Sequence, residues 1–176
     1  MEQHKVLTKR SWDKLLGNPI HKTAGVAVIV VDAWRTLPKV EKSFGGYINS
    51  MLEEMRDYYS IYHCADNRPI MEEIDCTHDK IIHSVRDPQL TLGYDKYYFM
   101  GFHIGKCVNT KAKELKQRIE LESMSMGIAN GRINLVFNLS LPFQTDQSID
   151  VHHDFEIVNY LRQGKFINYG EIRNDS

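Results

Sequence analysis

Residues 24–34, AGVAVIVVDAW, decide the fold of this 176-residue chain. Residues 24–31 are apolar throughout and mostly β-branched, without polar residues at alternate positions. A strand with one face in water alternates apolar and polar residues, so this segment is predicted to be buried on both faces of a parallel sheet. Asp32 follows directly, where the strand is expected to end.

Predicted helices and strands alternate along the rest of the chain. Apolar and aromatic runs predict further strands at residues 60–65, 80–85, 96–101, 133–140 and 165–168. Apolar residues at helical spacing predict helices over 43–58, from 107 to beyond 119, and over 152–164. This alternation indicates a doubly wound, Rossmann-like α/β domain with a mostly parallel sheet of about six strands and helices on both faces.

The composition indicates one domain and excludes two classes of partner. A hydrophobic content of 42% suits a single domain over 1–176, in which residues 1–22 are expected to form a helical extension. The formal net charge is −1, so no basic surface predicts a nucleic-acid partner. No apolar run approaches the ~20 residues of a membrane helix. Residues 1–16 lack the apolar centre of a signal peptide, and a cytoplasmic protein is expected.

The cysteines are expected to be reduced thiols. Cys64, Cys76 and Cys107 are an odd number and lack the spacing of metal ligands. Cys64 and Cys76 are interpreted as packing residues. Cys107 differs because it lies in the stretch GFHIGKCVNTKA, residues 101–112, where a predicted strand gives way to a predicted helix.

Asp32 and Cys107 are predicted to converge, since parallel strands end at the same edge of a sheet. A helix N-terminus favours the thiolate form of a cysteine, whereas a neighbouring carboxylate disfavours it. The same helix N–H groups suit the negative oxygen that forms when a thiolate attacks a carbonyl. These residues therefore indicate a nucleophilic site.

The sequence resembles the isochorismatase-like cysteine hydrolase superfamily, which includes nicotinamidases and related amidohydrolases. The resemblance rests on an apolar first strand that ends in Asp32 and on the GFHIGKCV motif around Cys107, with Ala112 shortly behind it. The segment 152–172 is also similar to the end of the family's domain.

The resemblance implies roles for three residues of this site. Asp32 would be the general base and Cys107 the nucleophile. The backbone N–H groups of His103 and Cys107 would form the oxyanion hole, next to a cis peptide bond between Phe102 and His103.

The family's third catalytic residue, a lysine at the end of the third strand, has no direct counterpart. In DKIIHSVRD, residues 79–87, that place falls near His83 or Ser84. We consider Lys80, at the start of the strand, and Arg86, behind it, as substitutes. A guanidinium cannot shuttle a proton, which weakens the case for Arg86.

No metal or other cofactor is expected. Nicotinamidases carry an Asp-x-His pair after the second strand, whereas this chain has Asp66, Asn67 and Arg68 there. His152 and His153 are neighbours whose side chains would diverge on a helix.

Two hypotheses remain open. The first is a cysteine hydrolase that cleaves a C–N bond, or a related bond, of a small carbonyl compound through a covalent intermediate. The second is a catalytically weakened relative that binds a small molecule or a protein. In either case the many Tyr and Met residues indicate a homo-oligomer.

Overall fold

The structure, a computed structural model, describes residues 25–126, 131–142, 166–167 and 169. Within these ranges the elements are β1 (Val26–Val31), α1 (Lys39–Met55), β2 (Ser60–Cys64), β3 (Lys80–Ile82), β4 (Lys96–Ile104), α2 (Cys107–Met126), β5 (Arg132–Pro142) and β6 (Phe166–Ile167). The expected N-terminal extension and last helix lie outside the described residues.

The six strands form one sheet in the order β3-β2-β1-β4-β5-β6, and every neighbouring pair is parallel. The chain adds β2 and β3 on one side of β1 and then returns to add β4 on the other side. The order therefore reverses between β1 and β4, and sites in such sheets form at the carboxyl ends of the strands beside this reversal. The doubly wound α/β prediction is confirmed.

The two helices cover opposite faces of the sheet. All six residues of β1 are buried, because its side chains alternate between two apolar clusters. Ile48 and Leu52 of α1 belong to the cluster on one face, while Leu115 and Ile119 of α2 belong to the cluster on the other. A strand covered on both faces has no position for a polar side chain, which explains the continuous apolar run.

The bounds of α1 differ from the prediction of 43–58. The helix begins at Lys39, directly after Pro38, whose fixed φ suits a helix start. It ends at Met55, yet Tyr58 stays in the core at 6% exposure. Tyr47, an aromatic residue within the predicted helix, is 44% exposed.

The strands also differ in length from the predictions, and the differences in β3 and β4 bear on the site. β3 ends at Ile82 rather than at 85, because the chain then turns and the backbone N–H of His83 donates to Asp87 Oδ2 at 3.1 Å. β4 extends to Ile104 rather than ending at 101. The longer β4 carries the chain past the end of β1 and towards the start of α2.

A cluster of ionisable side chains lies at the C-terminal end of α1. Nε2 of His63, on β2, lies 2.7 Å from Asp79 Oδ2, and both side chains are only 2% exposed. Arg56 donates to the same carboxylate from Nε at 2.8 Å and from Nη2 at 2.9 Å. Burial opposes ionisation of Asp79, but the hydrogen bonds from His63 and Arg56 outweigh it and hold the pKa of Asp79 below its usual value.

Candidate active site

Asp32 lies at the carboxyl end of β1 and is 4% exposed. Its backbone N–H donates to the carbonyl of Cys64 at 3.0 Å, and its own carbonyl accepts from Trp34 N at 2.8 Å. Its φ of 54° is in the left-handed region, which Asp tolerates better than most residues. The turn thus keeps the carboxylate at the sheet edge and does not carry it into solvent.

Two glycines shape the passage from β4 to α2. Gly101 pairs with Val31 in the parallel register and has a φ of 119°. Gly105, with a φ of 82°, forms the turn, and its N–H donates to Asn109 Oδ1 at 3.1 Å. The turn ends at Cys107, which becomes the first residue of α2.

A hydrogen-bonding interaction between the Cys107 thiol and the Asp32 carboxylate contributes to the pKa of both groups. The sequence-based expectation that they converge at one edge of the sheet is therefore met in the structure. Burial, the hydrogen bond to Asp32 and the negative charge of Asp32 raise the pKa of Cys107 to about 11. The positive charges of Lys111 and Lys106 act in the opposite direction but are smaller, so the resting thiol keeps its proton.

Burial is also the main influence on Asp32 and raises its pKa. The hydrogen bond from Cys107 and the positive charge of Lys111 act in the opposite direction. Among the described residues, Oδ1 of Asp32 has no hydrogen-bond partner although it is buried. The site therefore holds a carboxylate with one buried oxygen that no donor in the described ranges occupies.

The backbone in front of the thiol is irregular. The peptide bond between Phe102 and His103 is cis, as the resemblance implied. The pairing of β4 with β5 shifts register between Phe102 and Ile104, so His103 lies outside the regular ladder. Cys107 is the first residue of α2, so its backbone N–H has no hydrogen-bond acceptor within the helix. The structure thus brings both predicted oxyanion-hole residues to the same end of β4.

A carboxylate from α1 also reaches this edge. Glu41, in the first turn of α1, lies with Oε1 2.6 Å from His103 Nε2. Its Oε2 is buried without a hydrogen-bond partner in the described part of the chain. The sequence analysis missed Glu41 because 62 residues separate it from His103, and no local pattern links them.

The two proposed substitutes for the family's lysine lie elsewhere in the fold. Lys80 is at the start of β3, and its ammonium lies 5.4 Å from the centre of the Tyr62 ring. Arg86 is exposed in the turn behind β3. The main positive charges that lower the pKa of Asp32 belong to Lys111 and, more weakly, Arg68.

Lys111 also acts on Cys107, where its charge and that of Lys106 lower the thiol pKa against the larger effect of burial. The sequence analysis missed Lys111. The sequence did contain an indication of its position, since residues four apart on a helix share a face and Lys111 follows Cys107 by four.

The residues at the end of β3 have other contacts. His83 Nδ1 lies 3.6 Å from Asp66 Oδ1, and both side chains are 53% exposed. Ser84 Oγ accepts from the backbone N–H of Arg86 at 3.2 Å. Neither residue brings a permanent positive charge to the site.

The aromatic and thiol side chains near these strands divide between core and site edge. Tyr97 and Tyr98 are buried core residues, and burial raises the pKa of the Cys64 thiol to about 12. Trp34 is partly exposed beside Asp32. Its Nε1 donates to the carbonyl of Ala65 at 3.2 Å, and the Arg68 guanidinium lies 4.0 Å from the centre of its ring.

Two features are absent from the described ranges. No group of three or more His, Cys, Asp or Glu residues there could hold a metal ion. No helix in that part of the chain is long and apolar enough to cross a membrane.

Comparison with known proteins gives one informative likeness. No protein-family model matches the sequence, and no curated protein matches it either. Among solved structures, the chain is similar to N-carbamoylsarcosine amidase from Thermoplasma acidophilum, with a TM-score of 0.51 and 14% sequence identity. The similarity covers 81% of this chain and 95% of that chain. At this identity the likeness shows a shared fold.

Proposed function

We propose that the protein is an isochorismatase-like cysteine hydrolase that cleaves a C–N bond, or a related bond, of a small amide or similar carbonyl compound. The observation that carries the proposal is the convergence of Cys107 and Asp32 at one edge of the sheet, beside the point where the strand order reverses. The sequence motif around Cys107 and a fold shared with an amidase support the same reaction class.

In the first half of the reaction, Asp32 takes the proton of Cys107 while the sulfur attacks the substrate carbonyl carbon. The negative charge on the carbonyl oxygen is received by the backbone N–H groups of His103 and Cys107. The C–N bond then breaks, and the leaving nitrogen takes the proton back from Asp32. The acyl group remains on sulfur as a thioester.

In the second half, Asp32 takes a proton from water, whose oxygen attacks the thioester carbonyl carbon. The C–S bond breaks, the sulfur leaves as a thiolate that recovers the proton from Asp32, and the carboxylic acid is released. Asp32 thus acts as base and acid in both halves. Its raised pKa suits this work, because a carboxyl group with a higher pKa is a stronger base.

The test is a screen of small primary amides and carbamoyl compounds, N-carbamoylsarcosine included, with release of ammonia as the readout. For a compound that is hydrolysed, Cys107→Ser and Asp32→Asn should each reduce kcat by about 10³-fold or more. Cys76→Ser, which changes a thiol not assigned to the reaction, is the matched control and should retain activity. Hydrolysis that survives Cys107→Ser would overturn the proposal.

A binding module is the second candidate, and two observations favour it. The thiol of Cys107 has a pKa of about 11 in the resting protein, and the end of β3 supplies no lysine. This hypothesis predicts that members of the same amide set raise the Tm of the protein without being consumed. Turnover of any of them that depends on Cys107 would exclude it.

A further inference from the structure

One face of α2 presents a row of polar and charged residues that begins at Cys107 and runs towards β3. Cys107, Lys111, Glu114 and Arg118 follow one another at intervals of four, three and four, so they share a face of the helix. Nζ of Lys111 lies 3.7 Å from Glu114 Oε2. Arg118 Nη1 donates to the carbonyl of Val85 at 2.9 Å. The row therefore faces the segment behind β3, with Lys111 between that contact and the thiol.

Lys111 is sheltered by its surroundings, unlike a typical surface lysine. Its side chain is 20% exposed, compared with 61% for Lys116 on the same helix. Its positive charge lowers the pKa of Asp32, Cys107 and Cys64, which lie on or beside three different elements. The spacing of four residues places Lys111 on the same side of α2 as Cys107, so its charge can act on the candidate site.

The carboxylate of Asp32 needs such a cation. A buried charged oxygen without a hydrogen-bond partner costs free energy, and Oδ1 of Asp32 has none among the described residues. The two other charges that act on Asp32 have opposite effects, since Asp66 raises its pKa and Arg68 lowers it. The Arg68 guanidinium also lies over the Trp34 ring.

We propose that Lys111, projecting from α2, supplies the positive charge that stabilises the Asp32 carboxylate and the transient thiolate of Cys107. Within the proposed hydrolase, on which this role rests, the ammonium keeps its proton throughout. The proton that moves is the one between Cys107 and Asp32, and Lys111 offsets the negative charge that this pair carries. Lys111 is thus a positioning residue that acts through both groups.

The experiment measures alkylation of Cys107 by iodoacetamide at pH 8.5, followed on the Cys107 peptide by mass spectrometry. Lys111→Met should slow alkylation by about threefold or more, because each unit of thiol pKa changes the thiolate fraction about tenfold. Lys111→Arg, which keeps the charge, should stay within about twofold of the unmodified protein. Lys116→Met is the matched control on the same helix and should leave the rate unchanged.

Equal rates for Lys111→Met and Lys116→Met would overturn the inference. If Lys111→Met fails to fold by circular dichroism, Lys111→Gln, which keeps a polar end on a shorter stem, provides the same comparison. Alkylation needs no substrate, so this result is independent of the amide screen. A slower rate without turnover of any amide would reject the hydrolase and leave Lys111 as the cation of the site.

Discussion

Gly101 lies directly against the backbone of Val31, its partner in the register between the two central strands. A Cβ at Gly101 would lie 2.4 Å from the carbonyl oxygen of Val31 and 2.8 Å from its nitrogen. Val31 immediately precedes Asp32, and Gly101 immediately precedes Phe102. The close approach of β1 and β4 therefore sets the position of both halves of the site.

Gly101→Ala should destabilise the protein by about 2 kcal/mol or more, because it combines a backbone clash with a φ of 119° that alanine avoids. Urea denaturation measures the change. Gly46→Ala is the matched control, since nothing lies within 4 Å of its Cβ and the residue is inside α1. There we expect a gain of about 0.5–1 kcal/mol. Similar losses at both positions would contradict the packing of β4 against β1.

Asp32→Asn should stabilise the protein at pH 7, because burial penalises the charged carboxylate. The folded-state pKa of Asp32 is raised, so its contribution to stability is present below the ordinary carboxyl pKa and is lost as the pH rises through the folded value. Asparagine removes the charge and tolerates the left-handed φ of this position.

The measurement is urea denaturation of Asp32→Asn at pH 7 and pH 3.5. The gain should disappear at the lower pH, where the native carboxyl is protonated as well. Glu73→Gln, which neutralises an exposed carboxylate, should change stability little at either pH. A loss of stability for Asp32→Asn at pH 7 would show that the carboxylate is stabilised by contacts stronger than those described above.

Alkylation of Cys107 should respond to Asp32 in the direction opposite to catalysis. Asp32 raises the thiol pKa through its hydrogen bond and its charge, in addition to the larger effect of burial. Asp32→Asn should therefore speed iodoacetamide labelling of Cys107 at pH 8 by about tenfold while it abolishes hydrolysis. Cys64, buried and with a pKa of about 12, should stay unlabelled in both proteins. Slower labelling in Asp32→Asn would mean that Asp32 activates the resting thiol.

Asp79→Asn should destabilise the protein by about 3 kcal/mol at pH 7, because it leaves the buried His63 and the partly buried Arg56 without their carboxylate. The lowered pKa of Asp79 means that its contribution is present above the ordinary carboxyl pKa and is lost as the pH falls below about 4. Thermal unfolding from pH 3 to pH 7 measures both effects.

The control for Asp79 is Glu72→Gln, which breaks an exposed ion pair with Arg35. Exposed pairs contribute little, so its Tm should follow that of the unmodified protein at every pH. If Asp79→Asn retained the full acid sensitivity of the native protein, another carboxylate would be responsible for it.

The sequence determined the class of fold and the two central residues of the candidate site. The apolar run of β1 has one physical solution, a strand covered on both faces, and it requires a parallel sheet with helices on either side. The ends of such strands meet at one edge, so Asp32 and Cys107 were predictable together. The bounds of α1 and β3 were less predictable from the sequence, because a proline at the helix start and a turn at Asp87 outweighed the apolar pattern.

Only the tertiary structure decided the electrostatics of that edge. The pKa of Cys107 depends on how deeply the thiol is buried and how close Asp32 lies, and neither follows from the helix N-terminus alone. The cation that acts on the site also depends on packing, because the charge of Lys111 on α2 lowers the pKa of Asp32 while Lys80 lies over Tyr62. Charges act through space, so residues 79 positions apart in the chain become partners only when packing brings their elements together.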